Sequence, residues 1–212
     1  MSGILVPKIE KYLNHILPKR DPVLTEMEKY AAKHDVPIIG PACGRLLYQL
    51  ARSIQAKRVF ELGSAIGYST IWLARAVGPK GTVYYTDSDP ENARRAEVNL
   101  RQAGVRNRVL ILVGDALELF LSTQGQYDLI FNDVWKQQYP EVLRRAVPRL
   151  RVGGLLVTDN VLWSGRVART PAKGDKDTRA ILEFNRLIYR SPKLFTTIVP
   201  LRDGVAVCEK IA

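Results

Sequence analysis

Residues 58–70, Arg-Val-Phe-Glu-Leu-Gly-Ser-Ala-Ile-Gly-Tyr-Ser-Thr, leave this chain few architectures to choose from. A short apolar strand with Val59, Phe60 and Leu62 runs into a turn bounded by Gly63 and Gly67, and residues 68–74 open a helix. Strand, glycine turn and helix make a ligand cradle. Glycine removes the Cβ where a backbone must approach a ligand closely, and the helix start offers unpaired N–H groups to polar or anionic atoms. Such a cradle is completed by an acidic residue about 20 residues on that can accept hydrogen bonds from ribose hydroxyls. Asp87 stands at the end of the next apolar run, residues 83–86. The spacing Gly63-x-x-x-Gly67, with Glu61 just upstream, departs from the Gly-x-Gly-x-x-Gly of dinucleotide sites and favours S-adenosylmethionine (SAM).

Three amphipathic helices are expected ahead of this cradle. Ile9, Tyr12, Leu13, Ile16 and Leu17 repeat at helical spacing and stop at Pro18; Asp21-Pro22 then supplies an N-cap with proline at the first helical position, followed by Leu24, Met27 and Ala31. The third stripe is Leu46, Leu47, Leu50, Ala51 and Ile54, reached through a stiff apolar connection over residues 36–41. Beyond the cradle, strands alternate with helices. Strands are expected over residues 82–87, 109–113, 127–132 and 155–158, the second of these a continuous apolar run as in a strand covered on both faces. Between them fall a helix capped by Asp89 and stopped at Gly104, a short one through Phe120, an arginine-rich one after residue 136, and a last one over 176–189. Residues 194–199 and 205–208 are joined by a tight Pro-Leu-Arg-Asp-Gly turn, which makes the final pair antiparallel. The expectation is one α/β domain over residues 1–212, with N-terminal helices (1–56) capping a core (57–212).

The chain has no run of 18 apolar residues, and Lys8, Glu10, Lys11 and Asn14 interrupt its start, so neither a membrane helix nor a secretory leader is expected and the cytoplasm is the expected location. Cys43 and Cys208 match no metal spacing and read as reduced thiols; His15 and His34 lack ligand partners. A net charge of +11 invites a nucleic-acid reading. The distribution weakens it, because Arg144, Arg145, Arg149 and Arg151 interleave with Val142, Leu143, Ala146, Val147 and Leu150 as the solvated face of an amphipathic segment. An acidic acceptor such as a coenzyme A ester is the other outlet for that charge.

Ligands of open α/β sheets bind at the carboxyl ends of the strands, where Asp87, Asp115, Asp133 and Asp159-Asn160 all stand. Two carboxylates and an amide at adjacent ends, without His or Cys, suit a hard cation such as Mg²⁺.

Glu61-Leu-Gly-x-x-x-Gly-Tyr-Ser69, Asp87, Asp133-Val-Trp-Lys136, Asp159-Asn-Val-Leu-Trp-x-Gly165 and Pro200-Leu-Arg-Asp-Gly204 together resemble the cation-dependent O-methyltransferases of the caffeoyl-CoA and catechol type. The resemblance spans nearly the whole chain. It implies a Rossmann-like class I methyltransferase with a seven-stranded, mostly parallel sheet ending in an antiparallel hairpin. By it, Asp133, Asp159 and Asn160 match the ligands of Mg²⁺ or another divalent cation such as Mn²⁺ or Ca²⁺, and Lys136 matches the general base, with Asp133 beside it. Glu61, Gly63, Gly67, Ser69 and Asp87 fall on SAM-contacting positions, joined by Ser64, Ala65, Tyr68, Ser88 and Asp133. Asp115 and Ala116 would lie by the adenine, and Ile39 by the cofactor from the N-terminal side. Trp163 and Trp135 are candidate walls for an aromatic acceptor. Trp135 brings the chain nearer the catechol enzymes than the Asp-Ala-Asp-Lys of the caffeoyl-CoA branch, and Cys43 stands where charged or polar residues are common.

The implied reaction moves the SAM methyl group to a hydroxyl of a vicinal dihydroxy aromatic, with Lys136 desolvated beside Trp135. Relatives of this type also imply a homodimer, with the helix of residues 9–17 available for it. Two rival classes are a nucleic-acid methyltransferase, for which the Asn/Asp-Pro-Pro-Tyr/Phe signature is missing at residues 132–135, and a non-catalytic SAM-binding protein, which would have no use for the metal set and Lys136.

Overall fold

The computed structural model describes Ile4 and residues 6–212; residues 1–3 and 5, part of the expected N-terminal cap, lie outside the described residues. Among the described residues seven strands form one sheet: β1 (Arg58–Leu62), β2 (Thr82–Asp87), β3 (Val109–Val113), β4 (Tyr127–Asn132), β5 (Leu150–Thr158), β6 (Leu194–Val199) and β7 (Val205–Lys210). Their order is β3-β2-β1-β4-β5-β7-β6; the first five are mutually parallel, and β7 runs antiparallel to both β5 and β6. The chain therefore winds outward from β1 to β3, returns to the other side of β1 for β4 and β5, and leaves a crevice between β1 and β4.

Among the described residues, eight α-helices surround the sheet. Ahead of it come α1 (Pro7–His15), α2 (Pro22–His34) and α3 (Gly40–Ser53); α4 (Tyr68–Val77) and α5 (Pro90–Gln102) follow β1 and β2. After β3, β4 and β5 come α6 (Ala116–Ser122), α7 (Tyr139–Arg149) and α8 (Lys176–Arg190). Alternation along the strands divides the core into two layers: Val59, Leu129, Phe131 and Val157 pack with residues of α3 and α4, whereas Phe60, Leu62, Ile130 and Leu156 pack with residues of α7 and α8. The expected caps form, with Asp21 and Asp89 accepting hydrogen bonds from N–H groups in the first turns of α2 and α5, and Asp115 caps α6 in the same way.

Four expectations need correction. β3 is apolar throughout but lies at the sheet edge, so Leu110 is 46% exposed and the strand is not doubly covered. β5 starts at Leu150 and runs through Gly153-Gly154. Arg151 belongs to β5 and pairs with Asp128, and Arg149 caps the Gly125 carbonyl; only Arg144 and Arg145 lie on the solvated helix face, both paired with Glu141. The fourth concerns the two cradle glycines. Gly63 has φ 83° and a Cβ there would come within 2.6 Å of the Asp133 carbonyl oxygen, while a Cβ on Gly67 would press on Ala96 at 3.1 Å. These glycines make room for neighbouring protein backbone and side chain, and Gly63 does so at the crevice itself. Among the described residues no helix is long and apolar enough to cross a membrane.

Candidate functional site

At the carboxyl edge of the sheet four chain segments make one more inter-strand hydrogen bond after their strands end. Gly114 N–H donates to the Asp87 carbonyl, Ser64 to Thr86, Asp133 to Leu62 and Asp159 to Asn132, at 2.9 to 3.2 Å. The acidic side chains are thus rooted on fixed backbone at the point where the chain turns off the sheet. Above them lies a cleft of about 600 Å³, lined on one side by Gly63, Ala65, Asp87, Ser88, Asp115 and Ala116 and on the other by Asp133, Trp135, Lys136, Asn160 and Trp163.

On the first side, Asp87 Oδ2 accepts the Ala65 N–H at 2.9 Å, and Oδ1 accepts the Asp89 N–H and the Asn92 side-chain amide. This pins the carboxylate at the turn after β1. Asp115 serves as the α6 cap through one oxygen, Oδ1, while lining the cleft. Glu61 lies beneath, fully buried; Thr70 donates to Oε2, and Oε1 has no partner. Burial pushes Glu61 up to about 7, against the hydroxyls of Ser69, Thr70 and Ser64, which favour its ionised form. An orphaned buried acceptor next to the cleft fits a cofactor that brings a donor to it.

Not every expected cofactor residue reaches the cleft. Ile39, Ser64, Gly67, Tyr68 and Ser69 are buried behind it, Tyr68 with its hydroxyl donated to Glu28. Val36, Pro37 and Ile38 line the cleft where Ile39 was expected. Ile39 packs inward from that same connection.

On the other side, Lys136 Nζ donates to Asp133 Oδ1 at 2.8 Å and to the Val134 carbonyl. Its aromatic neighbours are Tyr139 and Trp163, with ring centroids 5.1 and 5.8 Å away. Trp135 is 83% exposed, so the expected desolvation of Lys136 comes from Trp163 and Tyr139 instead. Asp159 is buried, and burial followed by the Asp133 charge pushes its carboxyl up, opposed by Arg202. The same two carboxylates act with burial to push the nearby Cys43 thiol up, which keeps it protonated.

The loop after β5 carries left-handed backbone at Asn160, Trp163 and Ser164 (φ 58°, 47° and 52°). Such conformations persist where surrounding structure over-determines them. Here that structure is Asp203, whose two oxygens accept the Ser164 N–H and, at 3.4 Å, the Asn160 side-chain amide. The Val161 N–H also donates to Gly204, and a Cβ on Gly204 would run into the Leu162 side chain. The Pro-Leu-Arg-Asp-Gly turn is therefore a clamp on the Asp159–Asn160 loop, a role that its separation of about 40 residues concealed in the sequence. Arg202, Asn92, Gln138 and Asp177 line the cleft too and were not expected there.

Asp133, Asp159 and Asn160 offer carboxylate and amide oxygens, the donor chemistry of a hard cation. Among the described residues no three His, Cys, Asp or Glu side chains cluster at metal-binding distance.

Residues 15–211 match a family profile described as O-methyltransferase. A catechol O-methyltransferase of Mycobacterium tuberculosis is 37% identical over 196 residues, covering 91% of this chain and 88% of its own. A caffeoyl-CoA O-methyltransferase of Medicago sativa is 29% identical over 209 residues, covering 92% and 85%. The crystal structure of the O-methyltransferase TomG of Streptomyces achromogenes, involved in tomaymycin synthesis and in complex with SAM, has a TM-score of 0.87 at 28% identity, covering 97% of this chain and 96% of that one.

Proposed function

The chain belongs to the O-methyltransferase family, and on that premise we propose that it methylates one hydroxyl of a vicinal dihydroxy aromatic, with SAM as donor and a divalent cation held by Asp133, Asp159 and Asn160. The observation that carries this reading is that Asp133, Lys136 and Asn160 line the same cleft as Asp87 and Asp115, across the β1–β4 crevice.

Asp87 and Asp115 would accept hydrogen bonds from hydroxyl and amino groups of the donor, and Glu61 Oε1 would take a further one. SAM supplies a methyl group on a sulfonium. A divalent cation would supply Lewis acidity and a two-point template for neighbouring oxygens, Mg²⁺ being the first candidate. Lys136 would receive the proton of the reacting hydroxyl, and the methyl group that SAM would supply would pass to that oxygen, with S-adenosylhomocysteine as the leaving group. Asp133 accepts the hydrogen bond of the resulting ammonium. Trp163 walls the ring of the acceptor, and Trp135 covers it from the solvent side.

A methyl-transfer assay with SAM over matched catechols and monophenols, with and without EDTA, tests this. Catechols are expected to be faster by orders of magnitude in kcat/KM, and EDTA to remove the activity. Equal rates on both acceptor types, insensitive to EDTA, would move the chain to metal-independent methyl transfer.

We extend the proposal to one domain, residues 57–212 as core and 1–56 as cap, in the cytoplasm. The exposed Val6, Ile9, Tyr12 and Ile16 of the α1 region suit a homodimer contact. Light scattering giving the 23.8 kDa monomer at micromolar concentration would contradict the dimer.

A further inference from the structure

Arg202 brings to the cleft a charge that the proposed reaction does not use. Its Nη1 donates to Asp159 Oδ2 at 2.9 Å, and its Nη2 donates to the Ile38 carbonyl at 2.9 Å. The other oxygen of Asp159, Oδ1, accepts the Asn160 N–H at 2.8 Å. Both oxygens of this buried carboxylate therefore already have protein donors. Asp133 is partnered in turn by the Lys136 ammonium. Each of the two carboxylates that would hold the cation thus already faces a protein cation.

A dication arriving at Asp159 has to displace the guanidinium or bind beside it. Displacement breaks a buried ion pair, and binding alongside places like charges next to each other; each lowers affinity. Arg202 is also well anchored for this role. Its backbone sits in the left-handed region (φ 55°) of the β6–β7 turn, and the next residue is the buried Asp203 that clamps the Asn160 loop. Its side chain is only partly buried and lines the cleft, so the guanidinium has open space to swing into.

We propose that Arg202 is a built-in competitor for the divalent cation at Asp159, setting the metal affinity of the site below what its three oxygen donors would give. The inference rests on the metal-dependent reading above. It assigns Arg202 a positioning role, acting through Asp159.

The test is a titration with Mn²⁺ alone, followed by calorimetry and by the electron paramagnetic resonance signal of free ion, on the full chain. Wild type is compared with Arg202→Gln, Arg202→Met and Arg202→Lys. The neutral variants should bind Mn²⁺ about tenfold or more tightly than wild type, and Arg202→Lys, which keeps the charge, should stay within about threefold of it. Two neutral side chains are used so that one variant with wild-type circular dichroism suffices. Neutral variants that bind no better than wild type overturn the inference and leave the metal reading standing. Absence of Mn²⁺ binding in all four proteins overturns both.

Discussion

The Lys136 ammonium lies 2.8 Å from Asp133 Oδ1, with the ring centroids of Tyr139 and Trp163 5.1 and 5.8 Å from its nitrogen. A lysine held this way cannot wander into solvent. Lys136→Met should lower kcat by about 10²- to 10⁴-fold while leaving SAM affinity, measured by calorimetry, unchanged. Lys136→Arg should not restore the rate, because a guanidinium does not give up its proton in proteins. A wild-type kcat in the methionine variant would remove Lys136 from the chemistry.

Glu61 should tie stability to pH. Its folded value of about 7 lies above the ordinary 4.5, so the folded protein holds the proton more tightly than the unfolded chain does. That contribution is fully present below pH 4.5 and is lost as pH rises through about 7, a difference on the order of 3 kcal/mol. Urea unfolding of ligand-free protein between pH 4.5 and 8 should give a smaller loss of stability in Glu61→Gln than in wild type. Parallel pH profiles for the two proteins would contradict the assignment.

Removal of the Asp87 carboxylate should weaken SAM binding by about 1–3 kcal/mol, the range for a lost charged hydrogen bond. Calorimetry with SAM and with NAD separates the two cofactor readings. NAD binding at micromolar strength without SAM binding would overturn the one adopted here.

Gly63→Ala should be costly for two reasons that a second glycine can separate. At Gly63 the new Cβ meets the Asp133 carbonyl oxygen and the residue keeps φ 83°; at Gly165, with φ 75°, nothing lies within 4 Å. The Gly165 variant should lose about 1 kcal/mol from backbone strain alone, and the Gly63 variant about 2–3 kcal/mol with a weakened Asp133 site. Equal losses in urea unfolding would mean that the Asp133 turn gives way without resistance.

Much of this architecture was legible in the chain because its strands end where their apolar runs end. β2, β3, β4 and β6 occupy the expected residues, and Asp87, Asp115, Asp133 and Asp159 stand just at or past strand ends. What was illegible depends on neighbours. An apolar run such as residues 109–113 reads alike at a sheet's centre and at its edge, and only topology makes β3 an edge. The strand expected over residues 155–158 extends back through Gly153-Gly154, and a Cβ at Gly154 would sit 2.9 Å from the Asp128 carbonyl oxygen, so glycine there lets β5 pass close to β4 at a register shift. Arg202 and Asp203 meet Asp159 and Asn160 only because β7 lies beside β5, a pairing that no local pattern records.

The placement of β7 between β5 and β6 also bears on synthesis at the ribosome. Of these strands β6 emerges first but pairs only with β7 among the described residues, and β5 has an open side until β7 arrives. A nascent chain that has already made β1 to β5 thus carries one unpaired strand and, besides β3, a second open sheet edge at β5, the condition in which chaperone capture competes with docking. Closure of the hairpin seals that edge and, in the same event, delivers Asp203 to the Asn160 loop.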